Sequence, residues 1–242
     1  MIIAIDQGNT NTKLALFQGI NLIELLIFDA SELEKKIVEL IKKYSNISEI
    51  VLSNVGNPID FFEKLDLKIK INTINHQSLF PFENLYQTPN TLGIDRAVLA
   101  SGAVLKYTHS NTLIIDAGTC VTYDYLNEKN QYLGGSISPG LHLRYKSLND
   151  YTVNLPLLSP NYPKNDIGDT TFEAIHSGVV NGLLFEIQHI TDAFRKRYEK
   201  FNIILTGGHT LFLAKRLKNT IFANSNFLLE SLILLHQYQQ KK

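Results

Sequence analysis

Near the start of the chain an apolar run, Ile2-Ile3-Ala4-Ile5, stops at Asp6. A polar stretch follows to Thr12, and Leu14-Ala15-Leu16-Phe17 is apolar again. The first run reads as a buried strand. The polar stretch contains Gly8 and reads as a turn, so the unit is a hairpin with a polar tip. Asp6, Gln7, Gly8, Asn9, Thr10, Asn11, Thr12 and Lys13 gather backbone N–H groups, hydroxyls, amides and one cation in one place. Backbone amides and a point charge both favour anions, so this tip suits a polyphosphate. Asp6, where the strand ends, is placed to hold magnesium directly or through water. An ordinary asparagine-rich hairpin turn has the same composition.

The pattern recurs. Leu113-Ile114-Ile115-Asp116-Ala117-Gly118-Thr119-Cys120-Val121-Thr122 repeats strand, aspartate, glycine and turn, with Asp116 matching Asp6, Gly118 matching Gly8 and Thr122 matching Thr12. Two such units far apart point to an internal duplication. A third strand, Ile203-Ile204-Leu205, runs into Thr206-Gly207-Gly208. Glycines there let a backbone approach a flat ligand such as adenine.

Between the repeats, strands alternate with helical patterns. Leu22–Phe28, Ile50–Ser53 and Lys68–Ile74 read as strands. Ser31 and Glu34 have the capping-box form ahead of a helix with Leu33, Ile37, Leu40, Ile41 and Tyr44 on one face. Asp60–Leu65 reads as a short helix, His76–Asn90 as loop and Arg96–Lys106 as a helix. The second half adds a strand at Gln131–Ser138 and helices at Leu141–Leu148, Thr171–Phe201 and Phe227–Gln237. Alternation of this kind implies α/β layers. The repeat divides the chain into residues 1–109 and 110–242, although no linker composition marks the border.

Leu92-Gly93-Ile94-Asp95-Arg96 stands at a loop-to-helix junction. Asp95 there caps the helix, or it serves chemistry. An aspartate at a helix N-terminus beside an arginine stays ionised and can take a proton from a hydroxyl attacking a γ-phosphate. Arg96 can grip a substrate carboxylate with two prongs, and Gly93 lets a ligand come close.

Together these stretches resemble the phosphate-1, phosphate-2 and adenosine motifs of the actin, sugar-kinase and heat-shock-chaperone ATPases. Within that superfamily, Asp6 to Lys13 is similar to the Asp-x-Gly-Asn-Thr-x-x-Lys motif of type III pantothenate kinases. Tyr86-Gln87-Thr88-Pro89 followed by Gly93 to Arg96 matches their pantothenate-site pattern; Gly134 to Gly140 followed by Leu155-Pro156, and Thr171-Phe172-Glu173-Ala174-Ile175-His176-Ser177-Gly178, match further segments of the family. The matched motifs run in order from Asp6 to Gly208, and the segment from His209 onward matches weakly.

The resemblance implies two ribonuclease-H-like (actin-like ATPase) domains with an ATP cleft between them. It implies phosphorylation of pantothenate by ATP with Mg2+ and a monovalent cation, K+ or NH4+. Asp95 is then the base. Tyr86, Gly93, Ile94, Arg96 and Thr171 surround pantothenate. Thr119, Gly207, Gly208 and the first hairpin bind ATP, and Asp116 holds the monovalent cation. Thr171 is expected on a homodimer-interface helix, where Gly178 and Gly182 admit a second backbone. Packing against the chain's own sheet is the alternative for those glycines. A kinase for another small hydroxy acid, or a nucleotide-dependent regulatory factor, stays open.

Charge and composition narrow the remaining classes. Lysine and arginine balance aspartate and glutamate, so no electrostatic footprint for nucleic acid or an anionic membrane is expected. The first apolar stretch is shorter than a signal peptide core and is broken by Asp6. No run reaches membrane-span length, so a cytoplasmic protein is the expectation. Cys120 is the only cysteine and reads as a packed residue. The seven histidines show no metal-ligand spacing.

Overall fold

The structure is a computed structural model that describes residues 1–8, 11–53, 69–217 and 221–241. The chain divides into two units, residues 1–108 with 226–242, and residues 109–225.

The first unit begins with β1 (Ile2–Gln7), β2 (Thr12–Gln18) and β3 (Asn21–Phe28). These lead to α1 (Leu33–Lys43), β4 (Glu49–Ser53) and β5 (Lys70–Ile74). β1 is antiparallel to β2 and parallel to β4, giving the sheet order β3-β2-β1-β4-β5. Leu33, Ile37 and Leu40 of α1 are buried, as their helical spacing requires, and join Ile3, Ile5, Leu14 and Leu16 in one core. β1 carries apolar residues on both faces, the pattern of a central strand. The capping box does not form. Asp29 takes both donors instead, its Oδ1 accepting from Ser31 N at 3.0 Å and Ser31 Oγ at 2.7 Å. A carboxylate is the stronger acceptor, and it draws the Ser31 hydroxyl away from the helix. The predicted helix at Asp60–Leu65 lies outside the described residues.

A short β6 (Glu83–Asn84) interrupts the predicted loop, and α2 (Ile94–Lys106) follows. The second unit contains β7 (Asn111–Ala117), β8 (Cys120–Leu126) and β9 (Gln131–Pro139). Next come α3 (Leu141–Asp150), α4 (Thr171–His176), a π-type turn over Ser177–Asn181, and α5 (Gly182–Arg197). The unit closes with β10 (Phe201–Thr206), α6 (Thr210–Ala214) and β11 (Phe222–Ala223). Its five strands run β11-β10-β7-β8-β9. β7 is antiparallel to β8 and parallel to β10, so β7, β8 and β10 repeat the roles of β1, β2 and β4. The duplication seen in two short motifs therefore extends to sheet topology.

The long helical pattern Thr171–Phe201, read as one helix or two, is three consecutive segments, because the π-type turn separates α4 from α5. The last helix, α7 (Phe227–Gln240), also departs from expectation. It belongs with the first unit, not with residues 110–225. Gly102 of α2 makes this possible, because a Cβ there would lie 1.9 Å from Ser231 Oγ and 2.9 Å from Ser231 Cα. Lys106 and Glu230 add an ion pair at 3.4 Å. An apolar terminal helix does not declare in sequence which sheet it will cover. Gly102→Ala should cost about 1–3 kcal/mol in chemical unfolding, the usual range for overpacking, and Ser231→Gly should restore part of it. Equal stability of Gly102→Ala and wild type would show that α7 does not press on α2.

Candidate functional site

β1 continues through Asp6 and Gln7, so the turn is tighter than predicted. Its closure is a bond from Gly8 N to Asn11 O of 3.1 Å. Asp6 lies opposite Lys13 on β2 and Ser53 on β4. Ser53 was not singled out in the sequence, although a polar residue ending an apolar strand was the available signal. Its Oγ donates to Asp6 Oδ1 at 3.4 Å. Thr12 is fully buried and its Oγ1 has no hydrogen-bond partner among the described residues. Asn9 and Thr10 lie outside the described residues.

Asp6 is only 9% exposed. Burial pushes its carboxyl from 3.8 up to about 6, and the negative charge of Asp95 pushes in the same direction. Lys13 and the Ser53 hydroxyl oppose the rise. The structure thus brings Asp95, far away in sequence, into the electrostatic reach of Asp6.

The junction that carries Asp95 is built by local geometry. Gly93 is the N-cap of α2 and Ile94 its first residue, so Asp95 lies inside the first turn and is not the cap. Asp95 Oδ1 accepts from Arg96 N at 2.9 Å. A Cβ on Gly93 would lie 2.4 Å from that Oδ1, so a side chain at residue 93 would displace the carboxylate. Ile94 is buried. Arg96 is 6% exposed, and its guanidinium carbon lies 5.8 Å from the centre of the Tyr86 ring. Tyr86, Gly93, Asp95 and Arg96 are therefore neighbours. His76 Nε2 bonds Leu92 O at 2.9 Å and ties down the approach to α2. A cavity of about 210 Å³ opens nearby, lined by Phe80, Phe82, Pro89, Leu92 and Ile94 among others.

In the second unit, Asp116 lies opposite Thr122 on β8 and Thr206 on β10, the counterparts of the Asp6 neighbours. Gly207 follows Thr206 with φ +95°, and a Cβ there would lie 2.3 Å from Asp116 Oδ1. That backbone conformation and that approach both require glycine. Gly208 has open space on its Cβ side. Gly140 N donates to Thr119 O at 3.0 Å, and Thr119 itself is exposed. The Gly118–Thr119 turn, Gly140 and the Gly207–Gly208 pair are thus assembled around one strand end. Cys120 is half-buried and unbridged. Among the described residues no group of three or more His, Cys, Asp and Glu is arranged to hold a metal ion.

Thr171 is exposed at the first position of α4, with Thr170 as the N-cap. Gly178 faces open space, and Phe172 and Phe185 are more than half exposed. The packing of Gly178 against the chain's own sheet is therefore not observed.

The type III pantothenate kinase family model matches residues 2–193. The chain belongs to that family. The type III pantothenate kinase of Flavobacterium johnsoniae is 51% identical over 99% of this chain and 98% of its own length. That of Flavobacterium psychrophilum is 49% identical over 99% of this chain and 100% of its own length. Among solved structures, a Campylobacter jejuni protein described as a Baf family transcriptional activator superposes with TM-score 0.64 at 21% identity, covering 99% of this chain and 100% of its own. A Listeria monocytogenes protein described as an N-acetylmannosamine kinase gives TM-score 0.53 at 13% identity, covering 98% and 99%. These two likenesses concern the fold alone, a mixed α/β fold shared with sugar kinases. No helix among the described residues of this pantothenate kinase family member is long and apolar enough to cross a membrane.

The raised Asp6 carboxyl has a consequence for stability. The unfolded chain gives up this proton near pH 4, whereas the folded chain holds it to about pH 6. Stability linked to Asp6 is therefore full below pH 4 and lost as pH rises through about 6. Asp6→Asn, uncharged throughout, should match wild type near pH 4 and exceed it near pH 7 by about 2–3 kcal/mol. Chemical unfolding from pH 4 to 8, without nucleotide or metal, checks this. Asp95→Asn should move the wild-type transition to lower pH, and an unmoved transition would remove Asp95 from the neighbourhood of Asp6.

Proposed function

We infer that the chain transfers the γ-phosphoryl group of ATP to pantothenate, giving ADP and 4′-phosphopantothenate, the entry step of coenzyme A synthesis. Family membership along the chain carries the activity. The observation that carries the residue assignment is the convergence of Asp6 and Asp95, two carboxylates from separate motifs.

Phosphoryl transfer depends mainly on positioning and on stabilising charge. Asp95 lies on the first turn of α2. It accepts the proton of the pantothenate hydroxyl as that oxygen attacks phosphorus. Arg96 grips the pantothenate carboxylate, braced by the Tyr86 ring. Gly93 keeps the space over Asp95 free of a side chain, and Ile94 anchors the turn. The hairpin residues Asp6 to Lys13 hold the ATP phosphates together with Thr119, while Gly207 and Gly208 receive adenine. Each of the two units is read as a ribonuclease-H-like fold.

The buried carboxyl group of Asp6, with the negative charge of Asp95 near it and one lysine opposing, suits a hard divalent cation. Asp6 would hold Mg2+, directly or through water, and the ion would neutralise charge between the phosphates. Asp116, whose Oδ1 lies close to Gly118 and Gly207, would hold K+ or NH4+.

A coupled assay of ADP release, with and without pantothenate, tests the reaction. Release that depends on pantothenate is expected. Release with another hydroxy acid only would assign a different kinase, and no release would favour a regulatory factor. Asp95→Asn should lower turnover about 100- to 10,000-fold with little change in Tm. Turnover near wild type would reduce Asp95 to a helix-terminal residue.

We also propose a homodimer in which α4 and α5 lie at the interface, supported by the exposed Phe172 and Phe185 and the open side of Gly178. Thr171 of one protomer would then reach pantothenate held by Asp95 of its partner. Asp95→Asn and Thr171→Arg, each nearly inactive alone, should regain activity when mixed under subunit exchange. Random pairing makes about a quarter of all sites intact, because one site of each mixed dimer collects neither defect. No recovery despite demonstrated exchange would place both residues in a single-chain site.

A further inference from the structure

Behind the Gly118–Thr119 turn lies a charged cluster that the proposed reaction does not use. Glu186 of α5 accepts from Tyr123 OH at 2.6 Å and from Ser138 Oγ at 3.1 Å. It also pairs with Arg144 Nη2 from the first turn of α3. Burial alone would raise the Glu186 carboxyl, but the bonds from Tyr123 and Arg144 outweigh it and hold the group below its usual range. Glu186 thus remains an anion, and Arg144 is clamped by it.

The free edge of the Arg144 fork does something else. Its Nε donates to Pro139 O at 2.8 Å. The next atoms along the chain form the N–H of Gly140, which donates to Thr119 O at 3.0 Å. Pro139 C=O and Gly140 N–H belong to one rigid, planar peptide unit. That plane is held on one edge by the guanidinium and on the other by the turn proposed to touch ATP phosphate. The fit is tight, since a Cβ on Gly140 would lie 2.4 Å from Gly118 O and 2.5 Å from Thr119 O. No slack remains between the peptide plane and the turn.

We propose that Arg144, clamped by Glu186, is a positioning residue that sets the geometry of the phosphate-2 turn through the Pro139–Gly140 peptide, and with it the affinity for ATP. The proposal rests on the reading of Thr119 as a phosphate contact. An ordinary ion pair joining α3 to α5 would use the same two charges but would not need Nε.

Arg144→Lys separates these roles. Lysine keeps the charge opposite Glu186 but lacks the fork that reaches Pro139 O at the same time. Steady-state kinetics and Tm are measured for wild type, Arg144→Lys, Glu186→Gln and Thr119→Ala, with calorimetric titration of ADP as a readout apart from turnover. Arg144→Lys should raise the KM for ATP about tenfold and weaken ADP binding to match, as expected for lost ground-state contacts. Its pantothenate KM at saturating ATP and its Tm should stay near wild type. Glu186→Gln should move the same quantities in the same direction. Wild-type nucleotide affinity in Arg144→Lys beside a weakened Thr119→Ala overturns the positioning role alone. Wild-type affinity in all three variants overturns the phosphate-2 reading as well. A rise in both KM values in step with a falling Tm overturns the proposal in favour of a structural ion pair.

Discussion

A carboxylate at the end of a buried central strand is the constraint on which the first unit depends. Asp6 ends an apolar strand between an antiparallel partner and a parallel one, and little solvent reaches it. Water would ordinarily stabilise its charge. Lys13 and Ser53 replace that water only in part, and Asp95 adds repulsion. The folded chain therefore holds an unfavourable charge at one place, as functional sites commonly do. Cationic ligands and phosphate-bound metal are the partners that relieve such a charge. The second unit repeats the strand arrangement at Asp116, with Thr122 and Thr206 opposite it.

Missing side chains carry as much of the design as those present. At Gly93 a methyl group would displace the Asp95 carboxylate. At Gly207 it would strike Asp116 and face a disfavoured backbone conformation. At Gly140 it would strike the backbone of the Gly118–Thr119 turn. In each case a polar group of a motif is set by backbone packed directly against it. Such contacts do not flex as long side chains do, which suits chemistry dependent on position. The ion pair of Arg144 and Glu186 reinforces one of them from behind.

The elements near the motifs were legible because their signals are local. Apolar runs ended by Asp6 and Asp116 gave strands, and the spacing of Leu33, Ile37 and Leu40 gave a helix. Boundaries slipped where a competing local bond won, as at Asp29, which takes the donors of Ser31. The repeat of strand, aspartate and glycine was legible, and it extends to the strand order around β1 and β7. The return of α7 to the first unit was not legible, because its apolar surface fits any sheet and the match is made by distant residues such as Gly102 against Ser231 and Lys106 with Glu230.

The sequence by itself determined which residues could do chemistry: two Asp-x-Gly hairpins, the Gly93-to-Arg96 junction and the Gly207–Gly208 pair. It determined this because backbone freedom, charge and hydrogen-bonding capacity are properties of residue type and near neighbours. Tertiary structure alone decided which of them meet. It set Ser53 beside Asp6, brought Asp95 into its electric field and placed Arg144 behind Thr119. Those distances depend on strand register and helix packing, which are fixed by burial summed over the whole core rather than by any one stretch of chain.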